Sequence, residues 1–136
     1  MDDETVNTKE SILYSTKKKL GIMPEDDAFD DELIDYINGV FQIIHQLGVG
    51  PKKRFFINGP EEVWDDFLPK TDPNAHEVRT YLAKRVQQRF DPPVSSATMN
   101  ATAEELQEIE WRMIAYLDTP PFSEEDIEDD DGDDDG

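Results

Sequence analysis

The residues of this sequence that could do chemistry are its carboxylates and its two histidines. The 136 residues include 33 Asp and Glu, 2 His and no Cys, which excludes disulfides, thiol catalysis and cysteine-ligated metals. His45 and His76 lie far apart in the sequence, and no Walker A, G-x-G-x-x-G or H-E-x-x-H motif accompanies them. We interpret both histidines as structural residues and expect no enzymatic activity and no cofactor. A metal-dependent hydrolase has only the abundance of carboxylates in its favour.

The densest group of carboxylates is the segment EDDDGDDDG, at residues 128–136. A calcium loop of the EF-hand type needs a ligand at its first position and Gly at its sixth. If Gly132 is the sixth residue, the first is Ile127, which cannot bind calcium. Residues 119–136 contain 10 acids and no base. We therefore predict that they form a disordered, solvated tail.

A basic and aromatic stretch, KKRFF, could contact a nucleic acid; it comprises Lys52, Lys53, Arg54, Phe55 and Phe56. The formal net charge of −20 argues against this, because so acidic a chain is repelled by phosphate backbones. Two other interpretations remain open. The stretch is either an exposed loop without a partner or a contact with an acidic protein surface.

Turn signals are widely spaced in this sequence, which favours helices over hairpins of strands. Apolar residues recur at helical spacing, most clearly in DDELIDYINGVFQIIHQLG. We predict five helices, at about 8–20, 30–47, 60–68, 73–90 and 103–117. The expected N-caps are Asn7, Asp30 and Thr102, the last in a capping box with Glu105. Gly39, inside the second helix, is expected to mark a close contact between helices.

The stretch RFDPPVSSATMN, residues 89–100, interrupts the helical pattern. Asp91 precedes a proline, and neither Pro92 nor Pro93 has the amide that would continue the preceding helix. We therefore predict that the fourth and fifth helices form an antiparallel hairpin. Their charges are complementary; the bases are Arg79, Lys84, Arg85 and Arg89, and the acids are Glu104, Glu105, Glu108 and Glu110.

These elements predict an all-α fold, a small bundle of about five helices that ends in an antiparallel helix hairpin and a disordered acidic tail. Residues 1–118 form one helical domain in this interpretation, and residues 119–136 form the tail. No apolar run approaches the ~18 residues that a membrane-spanning helix needs, so we expect no membrane contact. The acidic, polar start MDDETVNTKE argues against a secretory signal.

Four stretches in a fixed order resemble the head–tail connector proteins of tailed bacteriophages, also called head-completion or adaptor proteins. VRTYLAKRVQQRFDPPVSSATMNATAEELQEIEWRM is similar to the C-terminal half of that family, with FDPP and EWR as its most specific parts. ILYSTKKKLGI and FDDELIDYINGVFQIIHQLGVG resemble its first two helices, and VWDDFL resembles its short central helix. The resemblance covers about residues 11–117 and leaves out the acidic tail.

The resemblance implies an all-α structural protein of the virion, made in the cytoplasm of the host bacterium. It implies a ring of identical subunits, twelve in the virion, that lies beneath the portal and extends the channel for double-stranded DNA during packaging and ejection. It implies contacts with the portal protein and with a stopper or tail-completion protein, and no sequence-specific binding of DNA.

Several candidate contacts follow for such a ring. We expect Lys52, Lys53 and Arg54 to contact the acidic run EDDAFDDE, residues 25–32, of the next subunit. The tail has two alternatives to plain solvation. Its carboxylates could keep DNA from adhering to the channel, or its first residues, Pro120, Pro121 and Phe122, could dock onto the portal.

A second apolar patch is expected on the fifth helix. At ~100° per residue, its core face holds Leu106, Ile109, Met113 and Leu117. Trp111 and Ile114 lie to one side of that face, at about 140° and 80° from Leu106. Either the N-terminal helix covers this patch, or the patch is an assembly face that contacts the portal or a neighbouring subunit.

An acidic DNA mimic that inhibits a DNA-binding protein is the alternative function. The size and the charge of the chain permit it. A mimic should carry phosphate-like carboxylates over its folded body, yet half of the net charge lies in residues 119–136 and the fourth helix is basic. The connector function is therefore our preferred interpretation.

Overall fold

A computed structural model describes residues 11–123 and residue 125 of the chain. Within these residues the regular structure is helical, with no strand. The helices are α1 (Ile12–Leu20), α2 (Asp30–Gln46), α3 (Trp64–Phe67), α4 (Ala75–Phe90) and α5 (Ser96–Ala115), followed by a 3₁₀ turn (Tyr116–Asp118). The predicted all-α bundle is confirmed. Most of the predicted tail lies outside the described residues.

Helix α4 is the centre of the bundle, since α1, α2 and α5 each pack against it. The spacing of apolar residues in α2, α4 and α5 predicts most of the core correctly. The buried core residues of these three helices are Leu33, Ile37, Val40, Phe41, Ile44, Val78, Tyr81, Leu82, Ala83, Val86, Leu106, Ile109 and Met113. Leu117, which we expected in this core, is 45% exposed. The α-helix ends two residues before it, and the tighter 3₁₀ turn rotates its side chain away from the core.

The N-terminal helix and the short central helix are joined by polar contacts. Ser11 caps α1 by accepting a hydrogen bond from the Tyr14 amide, whereas the predicted cap, Asn7, lies outside the described residues. The indole Nε1 of Trp64 in α3 donates to Ser15 Oγ at 2.8 Å. Helix α3 begins at Trp64, so the predicted start of this helix at residue 60 is wrong. The carboxylate of Asp66 reaches back to the Val63 amide and fixes the start there.

Helix α5 begins well before the predicted position. Ser95 caps it by accepting a hydrogen bond from the Thr98 amide, and the helical residues start at Ser96. The predicted capping box of Thr102 and Glu105 is therefore wrong, because both residues lie inside the helix and no free amides remain there to be capped.

Two expectations about α2 are also wrong. Asp30 is the first helical residue rather than the cap, and its carboxylate pairs with Lys17 at 2.8 Å. Gly39 marks no close contact, because a β-carbon added there would meet no atom within 4 Å.

The predicted hairpin of α4 and α5 is present, and part of its predicted charge pairing is present too. Lys84 pairs with Glu105 at 3.3 Å, and Arg85 pairs with Glu110 at 3.1 Å. Arg79 and Arg89 instead lie over the rings of Trp64 and Tyr36, at 5.3 and 5.9 Å from the ring centroids. Those two bases therefore fasten α4 to α3 and α2 rather than to α5.

Candidate functional site

The basic loop, which we define as residues 51–54, lies on the surface between the buried residues Val49 and Ile57. Lys52, Lys53 and Arg54 are exposed, and no described carboxylate forms an ion pair with them. After the loop, Phe55 packs edge-on against Phe41 of α2, and Phe56 stays 54% exposed. The structure thus brings together the basic and aromatic residues that the sequence singled out and presents four of the five to solvent.

A side-chain clamp fixes where this stretch rejoins the fold. The Asn38 amide in α2 donates to the Ile57 carbonyl at 2.9 Å and accepts from the Ile57 amide at 2.7 Å. Ile57 itself is buried. The loop is consequently held against the carboxyl-terminal half of α2.

The acidic segment, residues 25–32, lies at the opposite end of α2. This helix has 17 residues and is therefore about 25 Å long. The exposed acids of the segment are Glu25, Asp26, Asp27, Asp31 and Glu32. Asp30 is not available to a partner, since it pairs with Lys17. One subunit therefore carries a basic surface beside the carboxyl-terminal half of α2 and an acidic surface at the amino-terminal end of the same helix.

Lys17 holds the acidic segment in place, and we did not predict this role. Its side chain is completely buried, and Nζ donates to Asp30 Oδ1 at 2.8 Å and to the Pro24 carbonyl at 3.0 Å. The sequence contained a signal for its burial. Leu13, Lys17 and Leu20 are spaced at i, i+4 and i+7, which places the lysine on the apolar face of α1.

The apolar edge, which we define as Trp111, Ile114 and Leu117, is open to solvent. Trp111 is 71% exposed, and the other two residues are also exposed. The described N-terminal helix, α1, packs against α2 and α4 and leaves Trp111 uncovered. Of the two interpretations from the sequence, cover by that helix is therefore wrong for its described residues.

The start of the predicted tail is fixed beside the N-terminus of α4. The Phe122 amide donates to the Thr71 carbonyl at 2.7 Å, and its ring remains 45% exposed. Pro120 and Pro121 are exposed as well. These three residues therefore stand at the same end of α5 as the apolar edge.

The tip of the hairpin is a surface that our reading of the sequence missed. Val94 is fully exposed between α4 and α5, and Met99, in the first turns of α5, is about half exposed. The signal was present in Val94, an apolar residue placed between two prolines and two serines. The tip and the apolar edge lie at opposite ends of α5.

A polar network holds the middle of the hairpin. The Tyr81 hydroxyl donates to Glu110 in α5, and the Arg85 guanidinium contacts both residues. Burial, with the hydrogen bond to Glu110, raises the pKa of Tyr81 to about 12. The phenol therefore stays protonated at neutral pH and acts as a hydrogen-bond donor that ties α4 to α5.

The histidines do not form a site with the carboxylates. His45 is partly buried in α2, and His76 is exposed in the first turn of α4. In residues 11–123 and 125, no group of three or more His, Asp or Glu side chains is arranged to hold a metal ion. In the same residues no helix is long and apolar enough to cross a membrane.

These surfaces belong to a small helical protein whose charged and apolar features face outward, as in an assembly subunit. A family model described as phage connector protein matches residues 12–119. Because the match spans most of the chain, the chain belongs to the phage connector protein family, and it is a structural component of the virion. The resemblance found in the sequence is thereby confirmed, and the residues beyond 119 lie outside the match. No curated protein and no solved structure matches the chain.

Proposed function

We propose that identical copies of this chain form a ring, twelvefold in the virion, between the portal and a stopper or tail-completion protein. The ring extends the channel through which double-stranded DNA passes during packaging and ejection, without sequence-specific contacts. Its role is structural rather than catalytic. Membership of the phage connector family carries this proposal, and the separate basic and acidic surfaces along α2 support it.

Neighbouring subunits meet, in this proposal, through the basic loop of one copy and the acidic segment of the next. A closed ring requires a heterologous contact between two different patches of the same chain. The basic loop and the acidic segment are such patches, since one lies beside the carboxyl-terminal half of α2 and the other at its amino-terminal end. Exposed ion pairs contribute only ~0.2–1 kcal/mol each, so the charges set register more than strength.

The first prediction concerns assembly. Because each copy carries a net charge of −20, free subunits repel one another, and this repulsion extends over ~10 Å at about 0.1 M salt. We expect the free protein to sediment as a monomer at low salt and to form rings when it is expressed with the portal of the same genome. Co-purification followed by electron microscopy measures this. A stable ring of the free protein at low salt would contradict it, and displacement of DNA from a nuclease or repressor would favour the DNA mimic.

The second prediction concerns the contact between neighbours. Replacing Lys52, Lys53 and Arg54 together by Glu should abolish most ring formation on the portal and leave the melting temperature unchanged, since all three side chains are exposed. The control Lys18→Glu/Lys19→Glu reverses two exposed bases of α1 and should assemble normally. Mixing the triple variant with a copy in which Asp26, Asp27 and Asp31 are Lys should restore joint rings. Normal assembly of the triple variant would refute this contact.

A further inference from the structure

The basic loop and Lys70 together carry four exposed cations, and Lys70 lies next to the point where the chain leaves the described fold. They are the three bases of the basic loop and Lys70, which directly precedes the carbonyl that Phe122 contacts. All four are exposed, and none of them forms an ion pair with a described carboxylate. In a chain with a net charge of −20, an acidic segment is the occupant whose charge matches this surface and which the chain itself supplies.

Phe67 packs against residues on both sides of the basic loop. The ring of Phe67 packs against Phe55, with 5.3 Å between the ring centroids. On the other side of the loop, Gly50 lies so close that an added β-carbon would stand 2.6 Å from the same ring. Thr71 is only four residues from Phe67, which limits their separation to about 14 Å. The Phe122 amide is bound to the Thr71 carbonyl, so the chain leaves the described fold only a few residues from the phenylalanine that contacts the loop.

The acidic segment that follows has both the charge and the length to reach this surface. Residues 124–136 hold 10 acids and no base. Thirteen residues span up to ~43 Å at about 3.3 Å each, well beyond the distance from Thr71 to the loop. A segment tethered so near its binding surface is present at an effective concentration on the order of mM, which no separate molecule reaches in dilute solution.

We propose that residues 124–136 of the free subunit bind across the basic loop and Lys70 of their own chain. The acidic segment of a neighbour, residues 25–32, is the competitor for the same bases. The neighbour's segment has five exposed acids, whereas residues 124–136 have ten. The neighbour's segment is also not tethered to the loop that it must bind. In dilute solution the chain's own acidic residues therefore occupy the basic loop, and the acidic segment of a neighbour does not.

This contact restrains assembly, a consequence that rests on the proposed ring. The bases that would join two subunits are occupied until many copies are brought together. On the portal, neighbours are held side by side and the tails of adjacent copies repel one another, since each tail carries ten negative charges. The tails leave the loops there, and the acidic segments of the neighbours take their place.

The test uses the absence of cysteine from the chain, which allows a single spin label to be placed at Gly132→Cys in the full-length protein. We expect the label to reduce the NMR amide signals of Lys52, Lys53 and Arg54 at least about twofold, because tethering keeps the segment near the loop. Lys18 and Lys19, exposed bases of α1, serve as the internal reference and should keep their signals. In about 1 M salt, where screening acts within ~3 Å, the effect should vanish.

Matched variants distinguish a specific contact from general attraction. Replacing Lys52, Lys53 and Arg54 by Gln should remove the effect at the loop, whereas Lys18→Gln/Lys19→Gln should leave it unchanged. A mixture of spin-labelled protein and unlabelled, isotopically enriched protein should show no effect, which establishes that the contact lies within one chain. An effect spread evenly over all exposed lysines, or no effect, would overturn the proposal. Neither result bears on ring formation, which the charge-reversal experiment tests by itself.

Discussion

Replacement of Asp30 by Ala is expected to lower the free energy of unfolding by about 3 kcal/mol, near the lower end of the range for breaking a buried ion pair. The variant leaves the Lys17 ammonium in the core with the Pro24 carbonyl as its remaining partner, because the Lys17 side chain is completely buried. The Asp30 side chain is 26% exposed, so water relieves part of the cost. Urea unfolding followed by circular dichroism measures the loss, and the melting temperature should fall by ~10 °C.

Two further variants assign this loss to the buried charge. Asp31→Ala removes an exposed acid from the same first turn and should cost no more than ~1 kcal/mol, the value of its interaction with the helix dipole. Lys17→Met combined with Asp30→Ala removes both charges and replaces the cation by an apolar side chain of similar length, so the double variant should be nearly neutral. If Asp30→Ala and Asp31→Ala cost the same, the pair with Lys17 contributes nothing to stability.

The long helices could be predicted because their own residues determine them. In α2 and α4 the apolar residues recur over four turns, and this repeat identifies both the helix and its buried face. The hairpin could be predicted from Pro92 and Pro93, which both lack the amide that the preceding helix would need to continue. The start of α5 could not be predicted from the sequence, because Ser95 and Thr102 are both favourable N-cap residues and local preference does not decide between them.

The outward-facing residues could be predicted only in part. The angle of Trp111 around α5 correctly indicated an apolar patch beside the core face, since that angle depends on helix geometry alone. Whether another helix covers the patch depends on where α1 packs, which no local pattern reveals. The ion pair of Lys17 could not be predicted either, because it joins residues 13 positions apart. The open surroundings of Gly39 also depend on how the helices pack, which local sequence does not reveal.

Replacement of Trp111 by Ala is expected to weaken binding to the portal at least tenfold while the subunit melts as before. The side chain is 71% exposed, and substitutions at such positions usually change stability by no more than ~0.5 kcal/mol. An exposed Trp that becomes buried in an interface often contributes ~2 kcal/mol or more to binding. That amount corresponds to about thirtyfold in the dissociation constant. Calorimetric melting of the free subunit and a binding titration with purified portal measure the two quantities separately.

Two residues of the same helix serve as controls for this prediction. Met113 is completely buried, and Met113→Ala should destabilise the free subunit by ~2–5 kcal/mol. Met99 is an exposed apolar residue near the hairpin tip, and Met99→Ala should change neither melting nor portal affinity. If Trp111→Ala melts as Met113→Ala does, the indole belongs to the core. If it binds the portal as Met99→Ala does, the apolar edge does not contact the portal.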